Sequence, residues 1–159
     1  MNTVEQFLTS HDITYRRHEH PAVFTCEEAA LYCAHIPGIA SKNLFLTNPK
    51  RTRFFLATIP DYKRADLKKF AALVGEMRVA FGSAELLRKK LGLEPGSVSP
   101  FGLINNHEKD VEVFIDADVY DAPIVGFHPN INTATLELTD KMFKKFFEVA
   151  GYHVQVFAA

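Results

Sequence analysis

Two short stretches of this 159-residue chain hold residue types that could do chemistry together. In Gly126-Phe127-His128-Pro129-Asn130-Ile131-Asn132 a histidine stands between a glycine and a proline. Glycine lets backbone approach a ligand, proline fixes a turn, and an imidazole can donate and accept hydrogen bonds near neutral pH. The same heptapeptide also fits a tight strand connection whose histidine is bonded within the fold. In Ser41-Lys42-Asn43 a lysine opens an apolar run, as a solvated strand-start charge or as an anchor for a phosphate or carbonyl. A third stretch, Gly96-Ser97-Val98-Ser99-Pro100-Phe101-Gly102, can turn backbone N–H groups toward an anion, and it equally fits a plain surface loop. It contains no Gly-Lys-Ser/Thr and is not a nucleotide P-loop.

Other chemistries find no pattern here. Seven histidines (His11, His18, His20, His35, His107, His128 and His153) raise the question of a metal. No His-Glu-x-x-His and no carboxylate partner at fixed spacing accompanies them, so neither metal nor cofactor is expected. No Gly-x-Ser-x-Gly elbow supports a serine hydrolase. Cys26 and Cys33 fall in one expected helix, about 10 Å of rise apart, too far for a disulfide. They read as small buried residues of a reducing compartment. A net charge of −1 excludes the global basic field of a non-specific nucleic-acid binder. Basic clusters at Lys50-Arg51-Arg53, Lys63-Arg64 with Lys68-Lys69, Arg88-Lys89-Lys90, and Lys141 with Lys144-Lys145 are solvated faces unless two or more converge near Lys42 and His128. The first residues carry no basic region followed by an apolar run, and no segment reaches the roughly 20 apolar residues that cross a bilayer. The expectation is a cytoplasmic, soluble protein with no membrane partner.

The elements that must position these residues follow from periodicity and punctuation. Thr3 with Gln6 forms a capping box for a helix over 4–11, and 13–18 reads as a strand. Thr25 with Glu28 opens a helix to about Ala34, whose neighbourhood ends at Pro37-Gly38. A hairpin pairs 42–47 with 53–59 across Asn48-Pro49-Lys50, and its second run, apolar on both faces, should be a central strand. Helices over 66–74 and from Ser83 to Leu91 stop at Gly75 and Gly92, with a strand at 77–81 between them. After the 94–102 loop come strands at 111–115, 124–127 and 133–138. Thr139 then caps a helix with Met142, Phe143, Phe146, Phe147 and Ala150 inward, and 152–157 closes as a strand. Helices interleaved with strand pairs on tight turns give an α+β fold: a single domain over 1–159, with a mixed β-sheet flanked by helices. With 14 phenylalanines the chain can bury one substantial core.

The three stretches, with His20-Pro21-Ala22-Val23-Phe24-Thr25 ahead of them, resemble in their order the YbaK/ProRS-associated editing superfamily. Within it the chain is most similar to the freestanding ProX-type alanyl-tRNA(Pro) deacylases, and the likeness spans almost the whole length. The resemblance implies hydrolysis of alanine wrongly attached to proline tRNA, with the tRNA(Pro) acceptor end as substrate and transient contact with prolyl-tRNA synthetase. It implies Lys42 and His128 as catalytic residues, the lysine engaging the terminal adenosine and its phosphate and the histidine holding the aminoacyl group. Asn43, Gly96, Ser97, Val98, Ser99, Pro100, Gly126 and Phe127 would bind substrate. The cysteine-editing YbaK branch looks less similar, carrying a small hydroxyl residue in place of His128. Two other readings share the fold: a deacylase for cysteinyl- or seryl-tRNA, and a non-catalytic module that binds the tRNA acceptor or a synthetase.

Overall fold

The computed structural model describes residues 2–159, the side chain of Cys26 excepted, so the reading of Cys26 as a buried thiol lies outside the described residues. Helix α1 (Thr3–Ser10) starts one residue earlier than expected, because Asn2 rather than Thr3 is its cap: the Asn2 side chain accepts from the Glu5 N–H at 3.0 Å. Strand β1 (Arg16–Glu19) leads to α2 (Cys26–Cys33), capped by Thr25 as the Thr25/Glu28 pattern requires. The hairpin is β2 (Ser41–Thr47) with β3 (Phe54–Pro60), Ser41 opposite Pro60 and Thr47 opposite Phe54. Every residue of β3 is buried, as a run apolar on both faces demands.

Helix α3 (Leu67–Val74) follows, then β4 (Ala80–Phe81) and α4 (Ala84–Leu91). The expected 77–81 strand shrinks to two residues, since β4 meets β2 only at Leu46 and Thr47. Next are a 3-10 helix (Pro100–Asn105) inside the expected loop, β5 (Val111–Asp116), and a short α5 (Ala117–Tyr120) with no periodic signal. Strands β6 (Ile124–Phe127) and β7 (Ala134–Thr139), helix α6 (Asp140–Ala150) and β8 (Val154–Phe157) complete the order.

The α+β class stands, but the strands divide between two sheets. A five-stranded mixed sheet runs β4-β2-β3-β5-β8, with β3, β5 and β8 parallel, and a three-stranded antiparallel sheet runs β1-β7-β6. Alternation along the strands separates two cores on the faces of the larger sheet. Leu46, Phe55, Ala57 and Phe114 pack with Phe70 of α3 on one face. Phe45, Phe54, Leu56, Val113 and Ile115 join the larger core, which also takes Val125, Leu136 and the α6 residues Phe143, Phe146 and Phe147. Full burial of such side chains contributes about 1.5–3 kcal/mol each, which holds the small sheet against the large one. Among the described residues no helix is long and apolar enough to cross a membrane.

Candidate active site

Ile39 stitches the two sheets together. Its N–H donates to the Ile124 carbonyl at 3.1 Å, and the residue bridges Val125 in parallel register. The chain therefore enters β2 alongside β6, and Ser41 and Asn43 arrive beside Gly126, Phe127 and His128. These five residues line one small cavity of about 120 Å³, whose remaining wall includes Cys33, Ile36 and Pro37. A more open cleft of about 220 Å³ adjoins it, with Ala29, Ser41, Asn43 and His128 common to both. Phe24, Lys42, Gly96 and Val98 wall the outer part.

The His128 ring is held from behind. Its Nδ1–H donates to the Ala134 carbonyl at 2.9 Å, which leaves Nε2 a bare acceptor. Burial pushes its pKa below the ordinary 6.5; the bond to Ala134 pulls upward, and neighbouring His20 adds to the depression. The imidazole is thus neutral at pH 7. The ring of His20 lies 5.9 Å away, buried, with Nδ1–H donating to the Pro21 carbonyl at 2.8 Å and Nε2 accepting from the Thr135 hydroxyl at 2.9 Å. Thr135 in turn presses on Gly126, where an added Cβ would sit 3.0 Å from Thr135 Cγ2. His20 and Thr135 pair beside the site, Thr135 also lining the inner cavity; the sequence places His20 at the head of the resembling stretches but assigns neither residue a role.

Lys42 makes no hydrogen bond or ion pair among the described residues, so its ammonium is uncommitted. The Asn43 amide is spoken for: Nδ2 donates to the Val98 carbonyl at 3.3 Å, and Oδ1 accepts from the buried Thr58 hydroxyl at 2.6 Å. Asn43 therefore ties the 96–100 loop to the hairpin. Of that loop, Gly96 and Val98 reach the cleft, whereas Ser97, Ser99 and Pro100 do not line it. The expected fan of N–H groups is spent internally: Ser97 donates to the Glu94 carbonyl, Gly102 to the Ser99 carbonyl, and Phe101 to Ser99 Oγ. Ser99 is fully buried as the cap of the 3-10 helix that Pro100 begins. Ser41 is the opposite case: the residue lines both cavities, and its Oγ is buried without a hydrogen-bond partner.

Some members of the basic clusters are paired with acids where they stand. Arg53 bonds Glu76 and Glu112, Arg88 bonds Glu94, and Lys90 bonds Glu108 and Asp110. Lys63 pairs with Asp116, but its neighbour Arg64 is exposed and forms no ion pair among the described residues. The 60–64 turn is tied to the start of β2 by the Asp61 N–H on the Ala40 carbonyl at 3.0 Å, so this cluster sits at the Lys42 end of the sheet. Among the described residues no three His, Cys, Asp or Glu side chains gather as a metal-ligand set.

Comparison with known proteins adds the family. The model of the aminoacyl-tRNA editing domain matches residues 20–146, a span that holds every wall of both cavities. The chain belongs to this family. It is 33% identical over 139 residues to the prolyl-tRNA editing protein ProX of Acetoanaerobium sticklandii, covering 87% of this chain and 85% of that one. It is 31% identical to the prolyl-tRNA synthetase associated domain-containing protein 1 of Danio rerio, over 91% of this chain and 79% of the relative. The same fold occurs in a crystal structure of a candidate trans-editing enzyme for prolyl-tRNA synthetase, with a TM-score of 0.72, 21% identity, and coverage of 100% and 99% of the two chains. In this editing domain the matched span runs from the histidine behind His128 to Phe146 of α6, so it takes in both sheets' contributions to the site.

Proposed function

We propose that this editing domain hydrolyses alanine wrongly attached to proline tRNA in the cytoplasm, with residues 1–159 acting as a single domain. The observation that carries the reading is the pair of cavities sharing Ser41, Asn43 and His128. An aminoacyl-tRNA is an amino acid joined by an ester to a nucleotide, and the ester must lie where an amino-acid chamber meets a nucleotide cleft. The inner chamber, about 120 Å³, has room for a small aminoacyl group, and in this reading its walls leave proline unreleased. Such a second sieve is needed because a site built for proline rejects the smaller alanine by only about 1–3 kcal/mol.

The ester is already activated, so the protein need only orient a water and stabilise the developing oxyanion. Water attacks the carbonyl carbon, and the carbonyl electron pair moves onto its oxygen. In this reading the Ser41 hydroxyl, which has no hydrogen-bond partner within the protein, receives that charge. His128 Nε2, a bare acceptor, orients the aminoacyl end or the water. As the intermediate collapses, the bond to the ribose oxygen breaks and that oxygen takes up the proton the water gave, with the neighbouring ribose hydroxyl as relay. Lys42 holds the terminal phosphate, which a point charge suits. No step calls on a metal or a covalent nucleophile. The partners in this reading are the acceptor end of tRNA(Pro) and, transiently, prolyl-tRNA synthetase.

A deacylation panel tests it: proline tRNA charged with alanine, cysteine, serine or proline. Alanine should be released fastest and proline spared, with undiminished rates after chelator treatment. Fastest release of cysteine or serine would reassign the substrate, and no release of any would overturn the hydrolase.

A further inference from the structure

Phe24 breaks the burial rule beside a site where its neighbour Val23 obeys it. The Phe24 side chain is 68% exposed, while Val23 is buried. Its ring is nevertheless seated: Gly96, at φ +91°, comes so close that an added Cβ would lie 3.1 Å from Phe24 Cδ1. A side chain at 96 would meet both an unfavourable backbone angle and the ring. The ring lines the outer cleft together with Lys42, whose ammonium is unpaired among the described residues. A supported aromatic face beside a free cation, open to solvent, matches a planar base joined to a phosphate.

We infer that Phe24 is the platform on which the terminal adenine of the aminoacyl-tRNA stacks while Lys42 meets the adjoining phosphate. The inference rests on the proposed function, which sets the ester at Ser41 and His128 and so sends the nucleotide outward through the Phe24 end of the cleft. Stacking of one base on one aromatic ring is worth about 1–3 kcal/mol. That energy acts on binding of the substrate and leaves the ester chemistry alone.

Phe24→Ala should raise KM for alanyl-tRNA(Pro) about 10-fold with kcat changed less than about twofold, and Phe24→Tyr should restore KM. A tRNA with an abasic terminal nucleotide should lose as much with the natural chain and nothing more with Phe24→Ala. The chain has no tryptophan, so Phe24→Trp adds a single fluorophore, which AMP should quench saturably and ribose 5-phosphate should not. An unchanged KM in Phe24→Ala, an equal further loss on the abasic substrate, or no discrimination between AMP and ribose 5-phosphate overturns the platform. The middle outcome would make the ring a contact for another part of the tRNA. If the natural chain hydrolyses no aminoacyl-tRNA, the proposed function fails, and the AMP titration still decides the base site by itself.

Discussion

At the residue scale the site rests on groups whose hydrogen-bonding capacity is left over. Ser41 Oγ is buried and unpaired, and a buried polar group without a partner costs about 1–3 kcal/mol. Ser41→Ala is therefore expected to leave the melting temperature unchanged or raised while kcat falls by about 100-fold, as for loss of one oxyanion donor. A serine kept for packing would show the reverse: a lower melting temperature and an intact kcat. His128 makes a pH prediction. Its folded pKa lies below the unfolded value of 6.5, so stability from the neutral ring is complete above 6.5 and is lost as pH falls through the folded pKa. The acidic limb of kcat in the natural chain should have its midpoint below 6.5 and should vanish in His128→Ala. A His128-dependent midpoint at or above 6.5 would contradict a buried, neutral acceptor.

At the element scale the important joint is between β2 and the 96–100 loop. Asn43→Ala removes the tie to the Val98 carbonyl and strands the Thr58 hydroxyl, which is 1% exposed. The expected cost is about 1–3 kcal/mol in a denaturant titration, together with faster amide exchange in the loop. Stability and exchange like those of the natural chain would show that the loop holds itself. The same joint marks where sequence reading stopped. The hairpin, the capped helices and the buried strand β3 are local patterns, legible from alternation, Thr25, Ser83, Thr139 and the glycines that follow helices. The stitch of Ile39 onto Val125 is not local, and without it nothing says that two motifs 85 positions apart share a cavity. Ser99 and Pro100 stand in the stretch that the resemblance assigns to substrate binding, and the structure uses them to cap and begin the 3-10 helix. Pro37 read only as a helix stop, and its second use as a chamber wall left no periodic mark.

At the scale of the whole molecule, a net charge of −1 means that tRNA binding must draw on a local patch of basic side chains. Arg64 is one exposed member of such a patch, tied by its turn to the Lys42 end of the larger sheet. Arg64→Ala should raise KM for alanyl-tRNA(Pro) severalfold and flatten its salt dependence, with kcat retained. No change in the salt slope would move the acceptor stem to another face. The inner chamber itself has a longer consequence. Much of its wall, Cys33, Ile36 and Pro37, comes from the end of α2 and the partly exposed stretch that follows it, outside both hydrophobic cores. Substitutions there can reshape the chamber while the sheets that align Ser41 and His128 stay as they are. Amino-acid preference in this architecture is thus separable from foldability, and descendants of one sequence could drift from one mischarged residue to another by a few changes, each harmless to the scaffold.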